Sequence, residues 1–188
     1  MRWWDTLTGR STPAPANLDA LFALPGAALT VQASLGATAT GNGAVCFKTA
    51  SGAAATSAAT DALQLLRFGD DTQVEHTTDS YGYSWLVCRT QPGDTAGLIT
   101  DLHAVNSTLQ DNGFGPFLLC TLIEFRCADD TSFDLVYLYK RGTFYPFAAR
   151  NETQRDTPLE LQIRGVLEGE IPVEEDLARW FPLWQAPL

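Results

Sequence analysis

The chain has 188 residues, 45% of them apolar and 18% charged, enough to bury one core and too apolar for disorder along most of its length. Its formal net charge of −10 repels phosphate backbones and anionic bilayers. Nucleic acid is thereby excluded as a partner, and membrane contact is left only to a local basic or apolar element. Four cysteines, Cys46, Cys88, Cys120 and Cys127, sit in apolar strand-like segments without Cys-x-x-Cys spacing or a histidine beside Cys120 and Cys127. Free thiols in a reducing, cytoplasmic compartment are expected, with no zinc site, other metal or cofactor. No signal-peptide core precedes the domain, and the longest apolar run, Phe114 to Ile123, is about half the roughly 20 residues of a membrane span.

Residues 1–16 read as a flexible amphipathic segment and linker, and residues 17–188 as a single domain. On a helix Trp3, Trp4 and Leu7 would share one face, flanked by Arg2 and Arg10. Indoles beside cations suit a bilayer interface, a protein partner or the chain's own core. Prolines then make Ser11 to Ala16 an extended linker. Asn17 is expected to cap a short helix, Leu18 to Leu24, stopped by Pro25. Leu29, Val31, Ala33 and Leu35 alternate with polar residues and predict a half-buried strand. Gly41-Asn42-Gly43 predicts a turn, and Val45 to Thr49 the antiparallel return.

An Ala-rich helix is expected from Ser51 to Arg67, then a strand at Gln73 to Thr77, a turn at Asp79 to Tyr83 and a strand at Ser84 to Arg89. Asp94 caps a helix from Thr95 to Asn112, on which Leu98, Leu102, Val105 and Leu109 form the clearest helical stripe. Gly113 stops it. Phe117 to Phe125 is apolar throughout, as a central strand covered on both faces would be. A hairpin follows: Phe133, Leu135, Tyr137 and Tyr139 alternate with Asp134, Val136, Leu138 and Lys140, and Lys140-Arg141-Gly142-Thr143 turns the chain into Phe144 to Phe147. Thr157-Pro158-Leu159-Glu160 reads as a capping box opening a helix to Glu168. Glu174 to Leu177 opens a last short helix ahead of an aromatic tail, Arg179 to Trp184, expected to dock on its own domain.

These elements predict an α+β fold: one mostly antiparallel sheet with helices packed against it, in a layout analogous to small secretion chaperones. Tyr139, Lys140, Arg141, Phe144 and Tyr145 are either core and turn residues of the hairpin or a protein-binding surface, since Tyr and Arg concentrate interface energy. The only histidines are His76 and His103. No hydrolase elbow, phosphate loop or metalloprotease motif is present. A polar site around His103, Asn106 and Tyr81 is the enzymatic alternative, and a chaperone-like groove for an extended segment is a third reading.

Several stretches carry a resemblance: Asp79-Ser80-Tyr81-Gly82-Tyr83-Ser84-Trp85-Leu86, Asp101 to Asn106, Gly113-Phe114-Gly115-Pro116, Leu135 to Phe147, Pro15 to Pro25 and Asp176 to Pro182. Together they resemble the actinobacterial PspAB family, the phage-shock-protein-A-associated proteins, over nearly the whole chain. Ala50 to Thr78 contributes least to it. The resemblance implies a non-catalytic cytoplasmic adaptor of the envelope-stress response, peripheral on the inner face of the membrane. Its implied partners are the phage-shock coiled-coil protein or an HtpX-type membrane metalloprotease. It supplies no catalytic residues. One departure is the start, where relatives have a Gly-Phe-Leu-like sequence and this chain has Arg2-Trp3-Trp4.

Overall fold

The computed structural model describes residues 17–48, 74–184 and 186–188. The predicted N-terminal segment with Trp3, Trp4 and Leu7, and the Ala-rich helix, lie outside the described residues. A six-stranded antiparallel sheet dominates, in the order β2-β3-β1-β4-β5-β6. Its strands are β1 (Thr38–Lys48), β2 (Val74–Thr78), β3 (Tyr83–Arg89), β4 (Leu118–Arg126), β5 (Ser132–Leu138) and β6 (Thr143–Phe147). Three α-helices, α1 (Leu24–Leu35), α2 (Thr95–Leu109) and α3 (Thr157–Leu167), pack on one face, and a small hairpin, β7 (Ala149–Asn151) and β8 (Gln154–Arg155), precedes α3. The α+β architecture is therefore the one the sequence predicts.

The first elements differ from expectation. Leu18–Ala23 is a 3-10 turn that runs straight into α1, with Pro25 in the opening turn rather than at a stop. Proline there forfeits no hydrogen bond, because the first helical amides have no partner anyway. The predicted strand from Leu29 is helical. Leu24, Ala27 and Val31 form its buried stripe, while Leu29 and Ala33 face solvent. Gly36 ends α1 in the left-handed region (φ 66°). The run Leu18–Leu35 has the length and composition of a bilayer span, and its buried side packs into the core.

Gly41-Asn42-Gly43 is not a hairpin turn either. It is an irregularity within one 11-residue strand, where pairing with β4 jumps from Ala39–Phe125 to Gly43–Ile123. Gly41 takes φ 88°, and a Cβ on it would strike the Thr90 carbonyl. At Gly43 a Cβ would lie 2.8 Å from Cδ1 of Leu102, so glycine lets α2 settle on the sheet.

The later elements follow the prediction closely. Asp94 caps α2 by accepting the Gly97 amide (2.9 Å), and Leu98, Leu102, Val105 and Leu109 are buried. The α-helix gives way at Gln110 to a wider turn that Gly113 closes (φ 86°). At α3 the cap is Asp156, which accepts the Leu159 amide, and not the predicted Thr157. Glu160 instead turns inward, where its Oε1 accepts the Ala148 amide (3.0 Å) and Arg155 Nε (2.8 Å).

Period-two alternation divides the sheet's side chains between two cores. Val45, Phe47, Phe125, Phe133, Leu135, Tyr137 and Phe144 face the helices. Ala44, Cys46, Trp85, Val87, Cys120, Leu122, Val136, Tyr145 and Phe147 face the opposite way, against the C-terminal stretch.

Candidate protein-binding groove

The C-terminal stretch reaches the second face by first adding to the sheet edge. Phe144 donates its amide to the Pro172 carbonyl (2.8 Å), and Glu174 donates to the Phe144 carbonyl (2.7 Å). These bonds satisfy the β6 edge that would otherwise invite another strand. Asp176 then caps a 3-10 turn, Leu177–Arg179, which swings the chain across the sheet as a strap. Trp180 is its anchor. The indole is buried, stacks on Tyr145 (6.0 Å between centroids) and donates Nε1–H to the Glu174 carbonyl (3.0 Å). The Arg155 guanidinium donates to the Trp180 carbonyl, Tyr145 Oη donates to that of Phe181 (2.9 Å), and Trp184 meets Phe147 edge-on at 5.1 Å.

Between strap and sheet lies a cavity of about 640 Å³. Its floor is a register row across four strands: Trp85, Cys46, Cys120 and Leu138. One wall is Phe181 to Trp184, and the other is the turn from Asp79 to Tyr83. Asp79 builds that wall. Its Oδ1 accepts the amides of Tyr81 and Tyr83 (2.9 Å each), and its Oδ2 accepts Trp85 Nε1–H (2.9 Å). The rim therefore holds aromatic rings in water: Tyr81 is 72% exposed, Phe181 58% and Tyr83 37%. An apolar floor of this size beneath projecting aromatics is what an apolar ligand or peptide segment requires.

A smaller cavity, about 280 Å³, opens under the strap's end, where Phe147, Leu183, Trp184 and Leu188 surround Glu124 and Asp134. These two carboxylates are register partners on β4 and β5. Thr40 Oγ1 and Asn42 Nδ2, both delivered by the β1 irregularity, donate to Glu124 Oε2 at 2.8 and 2.9 Å. Burial, with the Glu124 charge added, pushes the Asp134 carboxyl up to about 7. At the β5–β6 turn the opposite happens. Burial acts to raise Glu174, but hydrogen bonds from Arg141 (3.1 Å) and Thr143 (2.8 Å) outweigh it and hold that carboxyl below its usual range.

The residues singled out from sequence are dispersed. Tyr139, Phe144 and Tyr145 are buried, with Tyr139 Oη donating to Gln110 Oε1 (2.6 Å). Of the hairpin set only Lys140 and Arg141 reach solvent, and Arg141 is engaged by Glu174. His103 lies against Phe22 (4.7 Å), with Nε2 3.7 Å from Asp19. Asn106 is buried and donates to the Leu102 carbonyl and to Thr121 Oγ1 (3.0 Å). Tyr81 sits at the groove on the other face of the sheet, so a site joining His103, Asn106 and Tyr81 is not assembled. Among the described residues no group of three or more His, Cys, Asp or Glu side chains could hold a metal ion. The Cys46–Cys120 and Glu124–Asp134 pairs escaped the sequence reading because each depends on register.

No curated protein and no solved structure matches the chain. One family model does, that of PspA associated protein B, over residues 1–188. The chain belongs to the PspAB family.

Proposed function

We propose that this PspAB protein is a non-catalytic accessory that seats an apolar segment of PspA in the groove between the strap and the Asp79–Tyr83 turn. The observation that carries the reading is the set of exposed aromatic rings, Tyr81, Tyr83 and Phe181, around an apolar floor. Exposed aromatics cost solubility, and surfaces that retain them together bind partners. With a chain charge of −10, a segment flanked by basic residues is favoured. The family's name supplies PspA as the partner. A cytoplasmic adaptor role in envelope stress, contact with an HtpX-type protease, and membrane contact through Trp3, Trp4 and Leu7 belong to the same proposal. They are supported by the family resemblance and the amphipathic start.

Hydrogen exchange of the full chain with and without purified PspA tests the groove. Added PspA is expected to slow exchange at residues 79–85 and 180–186 while leaving α1 and α3 unchanged. Protection confined to the helical layer would overturn the assignment.

A further inference from the structure

The groove floor contains more chemistry than a docking surface needs. Cys46 and Cys120 are register partners on the central strands β1 and β4, and both line the groove floor. Directly opposed residues of an antiparallel pair have Cα atoms about 4.5 or 5.5 Å apart. Both spacings fall within the roughly 4.4–6.8 Å that a disulfide spans. Both sulfur-bearing side chains line the 640 Å³ cavity, Cys120 at 8% exposure and Cys46 at 3%. The other cysteines have no such arrangement. Cys88 is buried in the helix-facing core, and Cys127 stands alone beyond the end of β4.

We propose that Cys46 and Cys120 are a reversible oxidation site, closing to a cross-strand disulfide by exchange with a low-molecular-weight disulfide admitted through the groove. Cys120, the more exposed, attacks first as its thiolate on one sulfur of the incoming disulfide. A mixed disulfide forms, and one small thiolate leaves and takes up a proton. The cavity gives the mixed disulfide room. Cys46 then loses its proton to solvent and attacks the Cys120 sulfur, expelling the second small thiol. In sum, two protein thiols and one small disulfide become one protein disulfide and two small thiols. The hydrogen bond with Cys120, burial, and the charges of Cys120 and Asp79 all raise the Cys46 thiol far above its ordinary value. The second step is therefore slow near neutrality and accelerates with pH. Trp85 is the other register neighbour of Cys46, so its indole lies beside the new bond.

The full chain, kept folded, is incubated with oxidised glutathione and read by intact mass and by peptide mapping without reduction. The expected product has lost the mass of two hydrogens, joins Cys46 to Cys120, and reverts with dithiothreitol. Formation should persist in Cys88→Ala and Cys127→Ala and vanish in Cys46→Ala and Cys120→Ala. A folded protein that stays fully reduced, stops at glutathione adducts, or bridges any other pair would overturn the proposal. The wild-type map decides even where a variant fails to fold. It also needs no PspA, so it can fail separately from the groove's proposed partner.

Discussion

The two faces of the sheet bury their apolar side chains in different ways, the larger core under the helices and the smaller under the strap. The helical face is covered by regular elements whose backbone groups are satisfied internally, and Leu98, Ile99 and Leu102 there are sealed from solvent. The other face is covered by a strap held by a few side-chain contacts: the rings of Trp180 and Trp184, and the hydrogen bonds that Arg155 and Tyr145 donate to the carbonyls of Trp180 and Phe181. A helix layer fills the space against a sheet, whereas a single extended chain does not. The 640 and 280 Å³ cavities, the thiol pair and the desolvated Asp134 carboxyl lie beneath the strap, and a third cavity, about 470 Å³, opens between the end of α1 and the start of α3. The difference in cover predicts that the strap opens without unfolding the sheet, whereas the helices do not.

The largest expected effect separates these covers. Leu102→Ala removes a fully buried side chain packed by Gly43 and should cost about 2–5 kcal/mol of global stability. Trp180→Ala removes a larger side chain, yet its cost is capped by the free energy of opening the strap, so about 1–2 kcal/mol is expected. Urea denaturation measures both. Native-state exchange should then show amides from Glu174 onward losing protection in Trp180→Ala while β1 and β4 keep theirs. Equal global losses would mean that the strap and helices form one cooperative unit, and the contrast would fail.

Electrostatics gives the next effect. Asp134 faces Glu124 across the strands, Glu152 lines the same cavity, and the Tyr145 ring is close enough to feel its charge. Its folded pKa, about 7, lies above the unfolded value of 3.8. The folded state therefore holds the proton more tightly, and stability present below about pH 4 is lost as pH rises toward 7. At about 1.4 kcal/mol per unit before solvent screening, the loss is on the order of 2–4 kcal/mol. Asp134→Asn should match wild type near pH 4 and exceed it at pH 8. Glu174 has the opposite sign: its lowered pKa stabilises the fold above the usual carboxylate range and is lost on acidification. A constant offset between Asp134→Asn and wild type across pH would show that the strap does not bury this carboxylate.

Much of the helical layer was legible in the sequence because its signals are local. The Leu98–Leu109 stripe, the Asp94 cap and Gly113 define α2 without reference to anything distant. In the β4–β6 meander, β4 reads from its unbroken apolar run and β5 from its alternation, which are local signals too. Local signals misled where two patterns coincided. Leu29 to Leu35 satisfies a period of two, but the face that matters, Leu24, Ala27 and Val31, starts before Pro25, which sits in the helix's first turn rather than ending one. Gly41-Asn42-Gly43 has turn chemistry used here for an in-strand irregularity. With β1 cut in two, its register on β4 could not be reached, and the Cys46–Cys120 pair went with it. The aromatic hairpin has the composition of an interface, yet alternation sends Tyr139 and Phe144 under the helices and Tyr145 under the strap. The groove itself joins residues about a hundred positions apart, which no local pattern encodes.

The smallest effect on stability is the sharpest on function. Exposed apolar side chains occur on both layers: Phe22 and Leu29 on the helical side, 50% and 67% exposed, and Tyr81 and Phe181 at the groove, 72% and 58%. Removing any of them should change stability by no more than about 0.5 kcal/mol, since little buried contact is lost. Burial fraction therefore does not distinguish the two sets. Their surroundings do. Phe22 and Leu29 lie on the outer side of packed helical segments, whereas Tyr81 and Phe181 face each other across an apolar floor that a partner would desolvate. Calorimetry with PspA should show Tyr81→Ala with Phe181→Ala weakening binding more than about tenfold, roughly 1.4 kcal/mol or more. Phe22→Ala with Leu29→Ala should leave it unchanged. The reverse pattern would move the binding surface to the helices and leave the groove as the cavity of an imperfectly filling strap.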